Sequence, residues 1–136
     1  MRLALTPEQE AFREEVRAYF TSVYTPDVAR RVERDPVDIA AYRDLMRRFG
    51  EDGWLCPTWP VEIGGRGLTP VEQFLFFDET QRLRVPLPFL TTNTVGPTIA
   101  AFGDEAQRAH YLPRIVRGEC LFSIGYSEPG AGTDLA

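Results

Sequence analysis

An all-α domain, followed by the first strand of an incomplete β unit, is the fold the sequence predicts. Three observations carry it. Helix starts recur, with Thr6-Pro7, Asp35-Pro36, Thr69-Pro70 and Asp104 each placing a capping side chain ahead of an apolar repeat. Up to Gly118 apolar residues return at the helical period. After Gly118 the period falls to that of a strand. One strand is not stable alone in water, so residues 1–118 read as a helical domain and residues 119–136 as the opening of a second, β-type domain.

The elements follow in order. In "TPEQEAFREEVRAYFTSV", Thr6 caps, Pro7 suits the first helical position and Gln9 completes a capping box. Phe12, Val16, Tyr19, Phe20 and Val23 form its apolar face, and Pro26 ends the pattern. In "DPVDIAAYRDLMRRFG", Asp35 caps, Pro36 starts and Gly50 closes, with Ile39, Tyr42, Leu45, Met46 and Phe49 facing inward. A loop of roughly twenty residues comes next, with Trp54 and Trp59 expected to dock on the helices. Its Gly64, Gly65 and Gly67 resemble a phosphate loop only superficially, because no Gly-Lys-Ser/Thr follows, and an ordinary turn is the favoured reading. Thr69 and Glu72 box the next helix, where Val71, Phe74, Leu75, Phe76 and Phe77 cover more than half the circumference and predict deep burial. Glu72 and Glu79 are expected to face solvent or arginine partners. "TTNTVGPTIAAFG" reads as a shorter helix closed by Gly103, "DEAQRAHYL" as another boxed by Asp104 and Gln107, and Pro113 as the start of a last turn ended by Gly118. In "CLFSIGYS", Phe122, Ile124 and Tyr126 point one way and Leu121, Ser123, Gly125 and Ser127 the other.

Composition removes several classes of function. With 43% hydrophobic residues and nine Phe among 136, the chain can build a core. All 15 basic residues are Arg, so lysine chemistry is absent. A net charge of −5 with scattered Arg is not a nucleic-acid footprint. Cys56 and Cys120 lie far apart and His110 is the sole histidine, so no metal site is expected. Two free thiols fit a cytoplasmic protein. "MRLALTPEQEAFREEV" lacks the apolar core of a signal peptide, and runs such as "FLFF" are far too short to span a bilayer.

The loop "SEPGAGTD" has chemical potential. Gly130 and Gly132 let backbone N–H groups approach an anion, Ser127 and Thr133 supply hydroxyls, and Pro129 stiffens the turn. The residues alone leave two readings open, a plain connector or a ligand cradle.

The ordered set "PTWPVEIGGRGLTPVEQ", "GPTIAAFGDEAQRAHYLPRIVRGE" and "GYSEPGAGTD" resembles the acyl-CoA dehydrogenase family, whose signature reads [TS]-E-P-x-x-G-[ST]-D. The likeness covers nearly the whole chain. It implies an N-terminal helical domain, a middle β domain carrying the flavin and a C-terminal four-helix domain. It implies FAD as cofactor, contacted by Ile124, Tyr126, Ser127, Gly132 and Thr133. Ser127 stands at the isoalloxazine edge, and Gly132 and Thr133 stand at the pyrophosphate, with Thr133 also near the pantetheine. Thr133 replaces the commoner Ser but keeps the hydroxyl. Phe89, Leu90, Thr91 and Thr94 are the candidate acyl-pocket wall, with plain helix packing as the alternative.

The implied reaction turns an acyl-CoA thioester into a 2-enoyl-CoA. It needs a carboxylate base for the α-proton, donors for the developing enolate oxygen, and flavin as hydride acceptor. The family's base is a Glu of its C-terminal domain, so no catalytic base is assigned among these residues, and Glu128 reads as a structural carboxylate of the loop. An electron-transfer flavoprotein or similar acceptor and a homo- or hetero-oligomeric assembly are the implied partners. The wording is similar to an actinobacterial branch that handles steroid CoA esters and includes two-subunit enzymes. On this reading the 136 residues alone are expected to be inactive. The competing reading is a non-catalytic helical module that docks onto a dehydrogenase subunit.

Overall fold

The computed structural model describes residues 4–34, 37–125, 127, 129 and 130. Among the described residues six α-helices carry the fold: α1 Pro7–Val23, α2 Pro26–Val32, α3 Ile39–Glu51, α4 Pro70–Arg82, α5 Gly96–Phe102 and α6 Glu105–Val116. A short 3-10 turn spans Val61–Ile63, and a π-helical turn, Thr91–Val95, runs into α5.

Local chemistry fixes most helix starts. At Thr6, Thr69 and Asp104 the cap side chain accepts the backbone N–H three residues on, and Gln9, Glu72 and Gln107 accept the cap's own N–H in return. These boxes stand where the sequence predicts them. Thr69→Ala removes half of one and is expected to lower stability by about 1 kcal/mol in urea unfolding. An unchanged midpoint would mean that packing alone sets where α4 begins.

Other expectations are corrected. Pro26 does not end helical structure; it occupies the first position of α2, with Thr25 accepting from the Val28 N–H. The cap of α3 is Asp38, which accepts the Ala41 N–H at 3.0 Å; Asp35 and Pro36 lie outside the described residues. Gly50 is inside α3, where a Cβ would meet the Val116 carbonyl oxygen at 2.6 Å, so its smallness serves helix approach. The residue that closes α3 is Gly53, at φ +73°, followed by a Trp54 N–H to Phe49 carbonyl bond. Pro113 lies within α6 and does not restart it.

The core joins Val16 and Phe20 of α1, Met46 and Phe49 of α3, Phe76 of α4 and Ile115 of α6. Trp54 completes it, with the Phe76 ring stacked at 6.1 Å and the Arg66 guanidinium 3.9 Å from its ring centre. Burying each such aromatic contributes on the order of 1.5–3 kcal/mol. The docking expected of both tryptophans is therefore met: Trp54 and Trp59 are buried.

Helix α4 is buried differently from its pattern. Leu75 and Phe76 are inside, but Phe74 is 67% exposed and Val71 is exposed too. The inward face instead includes Glu79 and Thr80. Glu79 is 1% exposed and is held by α1: Arg13 Nε donates to Oε1 at 2.6 Å, and Arg17 donates through Nε to Oε2 and through Nη2 to Oε1, each at 2.9 Å. The arginine partnership expected for Glu79 is present, at a buried seam and not on the surface.

Beyond Gly118 the chain leaves helical structure. Among the described residues no neighbouring strand lies beside residues 119–125, and no β-ladder forms there. The alternation in that stretch describes side-chain direction; a ladder also needs a partner's N–H and C=O groups.

Candidate functional site

The expected pocket wall begins where α4 ends. The Val85 N–H reaches the Thr80 carbonyl and the Arg84 N–H the Gln81 carbonyl, the paired bonds of a left-handed helix stop. Arg84 sits at φ +55° in the position usually given to glycine, which costs roughly 1–2 kcal/mol. Pro86 and Pro88 then prevent regular helix. The Leu87 N–H bonds the Val85 carbonyl and the Phe89 N–H bonds the Leu87 carbonyl, both at 2.9 Å, as two consecutive tight turns.

Helix restarts at Phe89 and widens into the π-turn, and a tryptophan accounts for that width. In an α-helix the Gly96 N–H would bond the Thr92 carbonyl. That carbonyl instead accepts Trp59 Nε1–H at 2.6 Å, and the Gly96 N–H goes one residue further back, to Thr91. Pro97, with no N–H, cannot restore the ladder to Asn93. Gly96 leaves room for the arrangement, because a Cβ there would collide with the Trp59 ring.

The turn delivers the predicted wall residues to different environments. Thr91 is fully buried. Its hydroxyl oxygen accepts the Phe122 N–H at 2.8 Å and lies 3.4 Å from the Phe122 carbonyl oxygen. Leu90 is half-buried, Thr94 is exposed, and Phe89 is 39% exposed with its ring 5.3 Å from that of Phe77. The Thr91–Phe122 contact joins the wall to the chain that leads toward the signature loop. Phe122 is also held from α6, its ring edge-on to Tyr111 at 5.6 Å.

Of the predicted flavin contacts, Ile124 is 54% exposed and Ser127 is exposed. Tyr126, Gly132 and Thr133 lie outside the described residues, as does Glu128. The described part suits a flat, polar-edged group. Ile124 offers an uncovered apolar side chain, Gly125 has open space where a Cβ would stand, and Ser127 presents an exposed hydroxyl.

Phe122, Tyr111 and Trp59 were not legible as site residues, since their parts depend on contacts distant in sequence; the only sequence signal was a Trp beside the glycine loop. That loop holds no anion cradle. The N–H groups of Gly64, Gly65, Arg66 and Gly67 are each taken by backbone carbonyls, so the ordinary-turn reading holds. A cleft of ≈ 470 Å³ opens between this loop and the π-turn, lined in part by Trp59, Ile63, Gln73, Asn93 and Pro97. The buried Cys56 thiol is pushed up to about 12 by desolvation and is no nucleophile at neutral pH. Among the described residues no three His, Cys, Asp or Glu side chains converge as a metal site needs, and no helix is long and apolar enough to cross a membrane.

Comparison with known proteins gives this geometry its context. Residues 6–119 match the family described as acyl-CoA dehydrogenase, N-terminal domain. The chain is 45% identical to acyl-CoA dehydrogenase FadE26 of Mycobacterium tuberculosis, across 100% of its own length and 35% of that protein's. A chain of the ChsE4-ChsE5 complex from Mycobacterium tuberculosis superposes with a TM-score of 0.87 at 46% identity, covering 99% of this chain and 34% of that one. The Tcur3481-Tcur3483 steroid ACAD gives 0.86 at 46% identity, covering 99% and 35%. This chain therefore spans about a third of the length of the proteins it matches. A buried helical core, the π-turn clasped to the segment after α6, and the match over residues 6–119 have one reading: the chain belongs to the acyl-CoA dehydrogenase family and carries its N-terminal helical domain.

Proposed function

We propose that these residues form the helical wall and the first flavin contacts of an FAD-dependent acyl-CoA dehydrogenase, with residues 1–118 as the helical domain and 119–136 as the opening of the β domain. The observation that carries the reading is the Thr91–Phe122 clasp, which ties the pocket wall to the approach of the signature loop. FAD, when bound, supplies the two-electron acceptor that lets an acyl-CoA thioester become a 2-enoyl-CoA.

The chain's own groups bind and orient. Ile124, Tyr126 and Ser127 would hold the isoalloxazine, Ser127 through its hydroxyl, while Gly132 and Thr133 would hold the pyrophosphate and the pantetheine. Phe89, Leu90 and Thr94 line the acyl side and keep water from it. The general base comes from outside these residues. Likeness to a two-protein complex and to a steroid ACAD supports a CoA thioester of a steroid or its side chain as substrate, and assembly with a second subunit. An electron-transfer flavoprotein or similar carrier then takes the electrons.

The test compares the complete gene product, purified with any partner that accompanies it, with the 136 residues alone. The complete protein is expected to show flavin absorbance that bleaches when a steroid side-chain acyl-CoA is added. The 136 residues are expected to show neither flavin nor turnover. Flavin bound to the isolated chain, or a complete protein indifferent to every acyl-CoA, contradicts the proposal.

A further inference from the structure

The geometry points to Thr91 as a positioning residue for the flavin-binding segment, acting through the backbone of Phe122 and not by touching substrate; this rests on the function proposed above. The Thr91 hydroxyl oxygen accepts the Phe122 N–H at 2.8 Å and lies 3.4 Å from the Phe122 carbonyl oxygen. One hydroxyl thus meets both backbone groups of one residue, as a neighbouring strand would. Thr91 is fully buried, so its oxygen is not on offer to a ligand.

The clasp is rigid on the helical side. The Thr91 carbonyl takes the Gly96 N–H, and Trp59 holds the adjoining Thr92 carbonyl. On the far side, Tyr111 covers the Phe122 ring. Among the described residues beyond Phe122, no hydrogen bond returns the chain to the helices, and Ser123, Ile124, Gly125 and Ser127 are all exposed. Phe122 is therefore the last anchored residue before the loop. Ser127 follows five residues on, about 16 Å if the chain is extended at about 3.3 Å per residue. Thr91, through Phe122, thus fixes the point from which the segment carrying Ser127 leaves the helical domain.

Thr91→Val keeps the shape and removes the hydroxyl; Thr91→Ser keeps the hydroxyl and removes the methyl. In the 136-residue chain, Thr91→Val is expected to speed amide exchange at Phe122 by about fivefold or more, the effect of one lost hydrogen bond, while Thr91→Ser stays near wild type. In the complete gene product, Thr91→Val is expected to weaken FAD retention by a similar factor and to alter the fine structure of the flavin spectrum, with little change in acyl-CoA KM. Thr91→Ser restores both. Unchanged Phe122 exchange in Thr91→Val overturns the inference. So does a Thr91→Ser variant as impaired as Thr91→Val, which would assign the effect to the methyl. A raised KM with normal FAD retention also overturns it, by placing Thr91 on the substrate. A wild-type complete protein that holds no flavin sinks the proposed function instead, and the exchange measurement still decides the clasp.

Discussion

Glu79→Ala is expected to lower the unfolding free energy by about 3 kcal/mol, the low end of what breaking a buried ion pair costs. The carboxylate is sealed between α1 and α4, while the Arg13 and Arg17 side chains keep 23% and 42% of their surface exposed. Losing the carboxylate leaves two neighbouring arginines that keep Asp78 and Glu14 as partners and reach water, which holds the loss at that low end. The interaction is shared, so replacing both arginines in the Glu79→Ala background should add little, whereas in wild type the same replacement strands a buried carboxylate.

The hydrogen bond from Arg17, then that from Arg13, holds the Glu79 carboxyl below its ordinary value of 4.5. Its stabilising contribution is therefore complete above that value and fades as pH falls through the lowered native one. Glu79→Gln should flatten the acid limb of the stability profile. Urea titrations across that range decide the matter, and an acid limb identical to wild type would remove Glu79 from the account.

The second large effect concerns Trp59. Trp59→Ala is expected to cost about 3–5 kcal/mol, from a cavity between the glycine loop and the π-turn. Trp59→Phe is the more informative change. It keeps most of the ring but frees the Thr92 carbonyl, at an expected cost of about 1–3 kcal/mol. The Gly96 N–H can then return to Thr92 and the π-turn can tighten to α-helix, which turns Thr91 away from Phe122. Faster Phe122 amide exchange in Trp59→Phe is the expected signature, read by NMR beside urea unfolding. A π-turn that survives the loss of the indole donor would mean that Pro97 alone enforces it.

These residues mark where the sequence was legible and where it was not. The boxes at Thr6, Thr69 and Asp104 close within four residues, so pattern alone located them. Helix α2 carried the same signal in Thr25-Pro26-Asp27, but Pro26 was read as an ending; proline suits a first helical turn as well as it forbids an interior. Phe74 lies outside, and the arginine-paired Glu79 inside, because a helix with apolar residues on most sides has no face written into it. Which side is buried was decided by Arg13 and Arg17 on α1.

The site divided along the same line. The family was readable from ordered motifs, and Thr91 was singled out only as a candidate for the pocket wall. Its hydroxyl partner, 31 residues away, was not readable, because that pairing exists only after α6 has turned at Gly118. There a φ of +69° and close approach to the Met46 carbonyl admit no side chain, and they aim the chain back toward Thr91.

The seam between α1 and α4 also has a meaning for biosynthesis. Arg17 and Glu79 are 62 residues apart. At about 5–20 residues per second, α1 waits roughly 3–12 s after its own synthesis for the carboxylate that joins Arg13 and Arg17. During that interval its apolar face is open to chaperones, or to the same face of another nascent chain. Helix α1 is thus left without its α4 partner well after it is made, and its two arginines help keep it in solution until Glu79 arrives.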